Sequence, residues 1–380
     1  MSAPAAGRRL HPEEAGFFYM DAMRCVAASA VVLNHVRDLI LVDASQATLP
    51  GLAATLVYLL AGFGHQSVMI FFVLSGFWIT RAVVRREDRP AFWQSFLIDR
   101  LSRLLIVMVP ALVVGGALDA FGTWFVAPSA YDGSSGAHSM PDVAATLSLP
   151  ALLGNLVFLQ GLVTPPFGSN GPLWSVAYEF WYYIWFPALW LARRGRFSIA
   201  LLGLAIGLLD VHLAYGFVSW LCGSALAFAL QAAVQRDWVG RRGIAAPVLF
   251  GGALLLIAAL AFSRRFTIPF WTDVVISAAF ALTLFGLCLW LPQRRRAFQW
   301  LTIYGARASF SLYAIHYPVG AFFISIVLAG KRLQPSGGAL ALVGLAWLAL
   351  IGIGWLFASV TERHTPAIRD RLQGRRIPSA

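Results

Sequence analysis

The sequence has few charged residues and few cysteines for its length. Only 12% of its 380 residues are Asp, Glu, Lys or Arg, about half the share that is typical of soluble domains, while 59% are hydrophobic. This composition argues against a single water-soluble fold and excludes intrinsic disorder and collagen. The three cysteines, Cys25, Cys222 and Cys288, all lie in apolar stretches, so neither a disulfide framework nor a cysteine-based metal site is expected.

Long apolar runs recur along the chain instead. A helix needs about 20 apolar residues to cross a hydrocarbon layer roughly 30 Å thick. Ten segments meet this requirement: 17–40, 66–84, 96–118, 171–191, 197–213, 215–234, 243–262, 273–291, 304–328 and 338–359. Two shorter apolar pieces, 51–62 and 150–163, are expected to form interfacial or re-entrant helices on the outer side. The sequence therefore predicts an all-α integral membrane protein, a bundle of about ten transmembrane helices over residues 17–366.

The net charge of +12 does not indicate nucleic-acid binding, because the basic residues form short clusters between apolar runs rather than one solvated face. With the N-terminus inside, 22 basic residues fall in cytoplasmic stretches and four in outer loops. The four outer residues are Arg264, Arg265, Lys331 and Arg332. Because basic loops stay on the cytoplasmic side, both tails, 1–16 and 367–380, are predicted to be cytoplasmic, with the helices in a plasma (bacterial inner) membrane.

The first predicted span carries two residues that are costly inside a membrane. Arg24 is followed eleven residues later by His35, which places both on one helix face about 16 Å apart along the axis. A neutral imidazole is suited to accept a proton from an alcohol near neutral pH, and Asp38, one turn on, could orient the ring. The alternative is a local ion pair between Arg24 and Asp21, with His35 capping the outer end of the span.

Two further motifs flank the next cytoplasmic turn. Ser75 and Gly76 in the second span permit either close helix packing or room for the slender arm of a ligand. Arg81 ends the second span. At the start of the third span, Arg100 and Arg103 lie one helical turn apart, where their guanidinium groups could bind phosphates bidentately. A polyphosphate ligand entering from the cytoplasm would suit them. The same basic cluster could instead only anchor the inner leaflet.

The fourth span carries a polar and aromatic stripe that begins next to Trp174. Its members follow i, i+3, i+4 and i+7 spacing: Ser175, Tyr178, Glu179 and Tyr182. Aromatic belts at the membrane interface explain the tyrosines equally well. They do not explain the carboxylate, and Glu179 is expected to face Arg24, His35 or a ligand.

The ninth span also places polar residues on one face. Ser309, Tyr313 and His316 share this face. His316 precedes Tyr317 and Pro318, so it either touches substrate or satisfies backbone groups freed by the proline kink.

These motifs, in this order, resemble those of the membrane-bound acyltransferase type 3 family. The matching features are Arg24 with His35, the run Phe71 to Phe77, Arg100 with Arg103, Leu173-Trp174-Ser175 with Glu179, and Ser311-Leu312-Tyr313 with His316 and Pro318. The resemblance implies a ten-span enzyme that moves an acyl group, usually acetyl, from cytoplasmic acyl-CoA to an outward-facing hydroxyl. It also implies that Arg24 and His35 form the essential pair and that Arg100 and Arg103 bind the coenzyme.

We therefore predict an acyl-CoA-dependent O-acyltransferase, without a metal, that acts on a cell-envelope glycan or another hydroxyl-bearing acceptor. The expected catalytic residues are His35, Arg24, Glu179 and Asp38; the donor-binding residues are Arg100, Arg103, Ser75 and Arg81; and the substrate-binding residues are Trp174, Ser175, Tyr178, Tyr313 and His316. His35 acts either as a general base or through an acyl-histidine intermediate. A different class of function also fits: a proton-coupled transporter or exporter of a glycan or lipid-linked intermediate, with the buried Arg, His and Glu as a proton relay.

Overall fold

The computed structural model describes residues 12–48, 50–133, 142–195, 210–265, 269–290 and 299–373. In these residues the regular structure is helical, and the only β-type pairings are isolated bridges, which confirms the predicted all-α class. The α-helices are α1 (Pro12–Ile40), α2 (Leu52–Ala61), α3 (Gly64–Val84), α4 (Phe92–Phe121), α5 (Pro128–Tyr131), α6 (Val143–Thr146), α7 (Leu149–Leu156), α8 (Trp174–Ala192), α9 (Val211–Gln235), α10 (Arg242–Ser263), α11 (Pro269–Trp290), α12 (Gln299–Leu328), α13 (Gly337–Thr361) and α14 (Thr365–Leu372).

Seven stretches of the described chain are long and apolar enough to cross a membrane, which agrees with a multi-pass membrane protein. They are Leu52–Val84, Phe92–Val126, Val211–Gln235, Arg242–Ser263, Pro269–Trp290, Gly305–Leu328 and Gly337–Leu372. Two predicted spans, in α1 and α8, are long helices outside this set, because α1 carries several charged residues and α8 is rich in Trp and Tyr. The predicted span 197–213 lies almost entirely outside the described residues. The count of ten stays a prediction.

The two short apolar pieces do form short helices, α2 and α7. In the structure, α2 is continuous enough with α3 for Leu52–Val84 to count as one candidate span. The interfacial or re-entrant position of α2 and α7 stays a prediction.

The chain divides into two compact units. Unit 1 comprises the chain up to Cys25 together with Met69–Arg81 and Tyr215–Ala306. Its core packs Met20 and Phe77 against apolar side chains of α9 and α11. Unit 2 contains the second half of α1, helices α2 and α4 to α8, and the chain from Arg307 onward.

Glycines allow α3 and α9 to meet at backbone contact within unit 1. A Cβ atom on Gly76 would lie 2.1 Å from the carbonyl oxygen of Trp220, and one on Gly223 would lie 1.9 Å from that of Val73. The indole N–H of Trp220 also donates to Ser75 Oγ at 3.2 Å. Because small residues let helix backbones approach closely, Gly76 has the packing role that was one of the two interpretations, and the donor-binding role of Ser75 stays a prediction.

Candidate active site

Unit 2 brings His35 of α1 and His316 of α12 into direct contact. Nδ1 of His35 lies 2.8 Å from Nε2 of His316, and the two rings are stacked with their centroids 5.1 Å apart. The ring of Tyr317 meets His35 edge-on at 5.2 Å. His316 is almost completely buried. A hydrogen bond between two imidazoles requires one nitrogen to donate and the other to accept.

The backbone of α12 determines which histidine donates. Nδ1 of His316 lies 2.7 Å from the carbonyl oxygen of Tyr313 and 3.2 Å from that of Leu312. Because a carbonyl oxygen only accepts, this Nδ1 carries the proton, and Nε2 of the neutral ring is an acceptor. His35 must then donate from its Nδ1, which leaves its own lone pair on Nε2. That atom can take a proton from an alcohol or attack an electrophilic carbon.

The partner of His35 is therefore another histidine, whereas the sequence argument expected Asp38 or Glu179 to orient the ring. The carboxylate of Asp38 is engaged within the last turns of α1. It forms an ion pair with Arg37 at 2.6 Å and accepts a hydrogen bond from Asn34 at 3.1 Å. Local partners one to four residues away thus hold this carboxylate, and the tautomer of His35 is set from α12.

A loop amide, and not His316, satisfies the carbonyl that the proline kink frees. Pro318 has no N–H group, so the carbonyl of Ala314 loses its helical partner. Nδ2 of Asn170 donates to that carbonyl at 2.9 Å. His316 bonds to the carbonyls of Leu312 and Tyr313 instead, so it does not satisfy the carbonyl of Ala314, and its contact with substrate stays a prediction. No local feature of the sequence pointed to Asn170.

The loop before α8 is fastened to α4 and α12 by buried hydrogen bonds. Asp119 near the end of α4 is fully buried and accepts from the backbone N–H and the hydroxyl of Ser169, at 2.7 and 2.8 Å. Gly168 adopts a φ of +63°, and a Cβ atom there would lie 2.3 Å from Asp119 Oδ2. The hydroxyl of Tyr313 donates to the carbonyl of Pro172 at 2.8 Å. These contacts fix the loop amide beside α12.

The predicted substrate-binding residues of α8 and α12 are brought together only in part. The hydroxyl groups of Ser175 and Tyr313 lie 2.6 Å apart, and Tyr313 also supplies the carbonyl to which His316 bonds. Trp174 stacks on His65 with a centroid distance of 6.4 Å. Tyr178 donates its hydroxyl hydrogen to Asp210 at 2.5 Å, so it contacts a different part of unit 2.

Glu179 lies near the paired arginines. The hydroxyl of Tyr183, one helical turn later, donates to the Glu179 carboxylate. Tyr183 is itself within electrostatic range of Arg103 and Arg100. Sequence reasoning did not select Tyr183, although the i, i+4 spacing from Glu179 was a usable signal. The link of Glu179 to the arginines therefore runs through the hydroxyl of Tyr183.

Arg100 and Arg103 of α4 are not in an ion pair with any carboxylate of the described residues. The guanidinium of Arg100 lies over the ring of Phe96, 5.7 Å from its centroid, and its Nε is buried without a hydrogen bond. Arg103 is exposed. A buried N–H group without a partner is costly, and an oxyanion would satisfy it. The pair therefore fits a phosphate-bearing ligand.

Three predicted site residues belong to unit 1 and are described with it. Arg24 is half-buried on α1, Ser75 accepts the indole hydrogen bond of Trp220, and the guanidinium of Arg81 lies 5.4 Å from the ring centroid of Phe77. Their catalytic and donor-binding roles stay predictions. In the part of the chain that the structure describes, no group of three or more His, Cys, Asp and Glu residues could hold a metal ion.

The fold is that of a helical, multi-pass membrane protein, and its unit 2 holds two histidines in direct contact. The Acyltransferase domain family matches residues 17–359, nearly the whole chain. The chain therefore belongs to the acyltransferase 3 family and is a membrane acyltransferase, as its motifs predicted. No curated protein and no solved structure matches the chain.

Proposed function

We propose that the protein transfers an acetyl group from cytoplasmic acyl-CoA to a hydroxyl group of an extracytoplasmic or membrane-linked acceptor, a cell-envelope glycan. The observation that carries this proposal is the hydrogen bond between His35 and His316. Because backbone carbonyls fix the proton on Nδ1 of His316, the lone pair of His35 is held on Nε2. A base with one defined acceptor atom is what deprotonation of an alcohol requires.

In the direct scheme, Nε2 of His35 takes the proton from the acceptor hydroxyl. The oxygen then attacks the thioester carbonyl, and the C–S bond breaks as the new C–O bond is completed. The departing thiolate of coenzyme A receives the proton from His35, so the histidine returns to its starting state. His316 keeps its own proton throughout, since its role is to hold the ring of His35.

The competing scheme forms an acyl-histidine. Nε2 of His35 attacks the thioester carbonyl first and the C–S bond breaks, so that coenzyme A leaves as the thiolate and His35 carries the acyl group. The acceptor hydroxyl then attacks the acyl carbonyl, the N–C bond to His35 breaks, and the proton of the hydroxyl passes to the thiolate. The same lone pair serves both schemes. Acid-quenched protein incubated with radiolabelled acetyl-CoA and no acceptor separates them, because only the second scheme labels the protein in wild type and not in His35→Ala.

The donor site that we assign consists of Arg100 and Arg103. Their guanidinium groups are not paired with carboxylates of the described chain, and Nε of Arg100 lacks a hydrogen bond. Coenzyme A carries phosphate groups that such groups recognise bidentately. Arg100 lies near the start of α4, which follows a strongly basic turn, so the positive-inside rule puts this site on the cytoplasmic side.

The proposed topology has ten spans and both termini in the cytoplasm of a plasma (bacterial inner) membrane. It is supported by 22 basic residues in one set of loops against four in the other. In this topology α1 runs outward, which puts His35 in the outer half of the membrane, within reach of an outward-facing acceptor.

The decisive experiment compares envelope glycans from a deletion strain complemented with wild type, His35→Ala or His364→Ala at matched expression. His364 is an exposed histidine outside the site, so it controls for the loss of an imidazole as such. We expect wild type and His364→Ala to restore the acetyl mass increment and His35→Ala to lack it. Full restoration by His35→Ala would refute the catalytic assignment.

Purified protein separates this function from transport. An acyltransferase releases free coenzyme A thiol from acetyl-CoA in proportion to acceptor modified. An exporter would move its glycan in vesicles without a thioester donor, and that result would replace the proposal.

A further inference from the structure

The carboxylate of Asp99 is held away from the two arginines of the donor site. Asp99 is four residues before Arg103 and next to Arg100 on α4. Because an acidic residue four positions before a basic one favours a helix ion pair, Asp99 is in register to neutralise Arg103. In the structure it does not.

Both oxygens of Asp99 are engaged elsewhere. Oδ2 forms an ion pair with Arg86, which lies in the turn after α3, and Oδ1 accepts a hydrogen bond from Nε2 of Gln373 at 2.7 Å. The side chain of Asp99 is only 11% exposed. The same Nε2 of Gln373 lies 3.5 Å from the carbonyl oxygen of Ser95. A largely buried carboxylate with partners on both oxygens would lose both of them by turning toward the arginines.

The residue that supplies the second partner follows a helix packed on α4. Helix α14 lies against α4, and Gln373 is the residue directly after it. The start of α4, the turn that bears Arg86 and the end of α14 therefore meet at one carboxylate. Arg100, the residue after Asp99, has a buried Nε without a hydrogen bond.

We propose that Arg86 and Gln373 are positioning residues of the donor site, which hold the Asp99 carboxylate so that Arg100 and Arg103 stay available to the phosphates of the donor. This inference rests on the proposed function, in which those two arginines bind acyl-CoA. Loss of Arg86 would release Asp99 to its helical neighbour Arg103, and an ion pair inside the protein would then compete with the ligand.

The test is the dissociation constant of acetyl-CoA for the full chain in detergent micelles, measured by titration calorimetry. We expect Arg86→Gln to weaken binding on the order of fivefold, the effect of one competing ion pair, and Gln373→Ala to weaken it less. The double variant Arg86→Gln/Asp99→Asn should return to the wild-type constant, because no carboxylate remains to compete. Arg89→Gln is the matched control, since it removes one exposed cation from the same turn without touching Asp99.

Three outcomes would overturn the inference. Binding by Arg86→Gln equal to that of Arg89→Gln would show that release of Asp99 has no effect. Weak binding that Asp99→Asn fails to rescue would show that Arg86 contacts the donor or supports the fold. A double variant weaker than the single one would do the same. Arg100→Ala distinguishes this from failure of the proposed function: if that variant binds as wild type does, the assigned donor site is itself wrong.

Discussion

The histidine pair and the arginine pair lie in the same unit and use their hydrogen-bonding atoms in opposite ways. In the histidine pair, the protein supplies a partner for both nitrogens of His316 and for Nδ1 of His35. In the arginine pair, the carboxylate of Asp99 on the same helix is bound to other residues, and the buried Nε of Arg100 has no hydrogen bond. The protein supplies the partners in the histidine pair, whereas in the arginine pair it leaves one buried N–H without a partner, which we propose that the donor satisfies.

This difference matches the task that we propose for each region. A base needs a fixed tautomer, and every bond that the protein makes to the imidazoles removes an unproductive arrangement. An anion site needs donors that are not already paired, because a competing carboxylate lowers the affinity for the ligand. The comparison can be tested by removing a hydrogen-bonding partner from the histidine pair and by removing a guanidinium group from the arginine pair.

The largest effect is expected from loss of His316, which removes the hydrogen bond within the histidine pair. His316→Ala removes the acceptor for Nδ1 of His35, so the ring can adopt the other tautomer or turn. We expect kcat to fall roughly a hundredfold with little change in the KM for acetyl-CoA, measured by thiol release in the presence of acceptor membranes. His316→Gln offers an amide oxygen to the same Nδ1 and should retain more activity. Wild-type kcat in His316→Ala would show that the hydrogen bond does not set the reactive tautomer.

A smaller effect, in the other kinetic constant, is expected from the arginine pair. Arg100→Ala removes a donor group that the protein leaves for the ligand, so the KM for acetyl-CoA should rise about tenfold, as for one charge-assisted contact, with kcat nearly unchanged. The same substitution at Arg89, an exposed arginine of the preceding turn, controls for net charge. A fall in kcat at constant KM would move Arg100 from donor binding to the chemistry and would break the comparison.

The smallest effect on catalysis is expected from Asn170, which donates a hydrogen bond to the helix that bears His316. Asn170→Ala leaves the buried Ala314 carbonyl without its donor, so we expect a loss of about 1–3 kcal/mol of stability and a mild fall in kcat. Thermal unfolding in detergent measures the first and thiol release the second.

A double-mutant cycle with Pro318→Ala sharpens this prediction. Alanine at 318 restores an N–H that can bond to Ala314 within the helix, so Asn170→Ala should cost less in that background. Equal costs in both backgrounds would mean that Asn170 acts through another contact.

Much of the site was accessible to sequence reasoning, and its limits have a common cause. His35, His316, Arg100 and Arg103 were all selected, because charged and polar residues inside apolar runs are conspicuous. The contact between His35 and His316 was not predicted, because the two histidines are 281 residues apart in the sequence. Asp38 was favoured as the partner of His35 because it is one turn away, yet Arg37 and Asn34 engage it.

The glycine contact in unit 1 is a second example in which local sequence does not determine a contact between helices. The sequence offered two roles for Ser75 and Gly76, and nothing local decides between them. The position of Trp220 and Gly223 on α9 decides for close packing at Gly76. A contact of this kind depends on the crossing point of two helices, which their separate sequences do not state.

The sequence by itself determined that this chain is an all-helical, multi-pass membrane acyltransferase, because apolar length, charge placement and short motifs are properties of a single segment. Only the tertiary structure decided which histidine fixes the tautomer of His35, which amide repairs the kink at Pro318, and why Asp99 does not neutralise Arg103. Each of these depends on side chains from different helices competing for the same hydrogen bond, and the winner is set by where the helices meet.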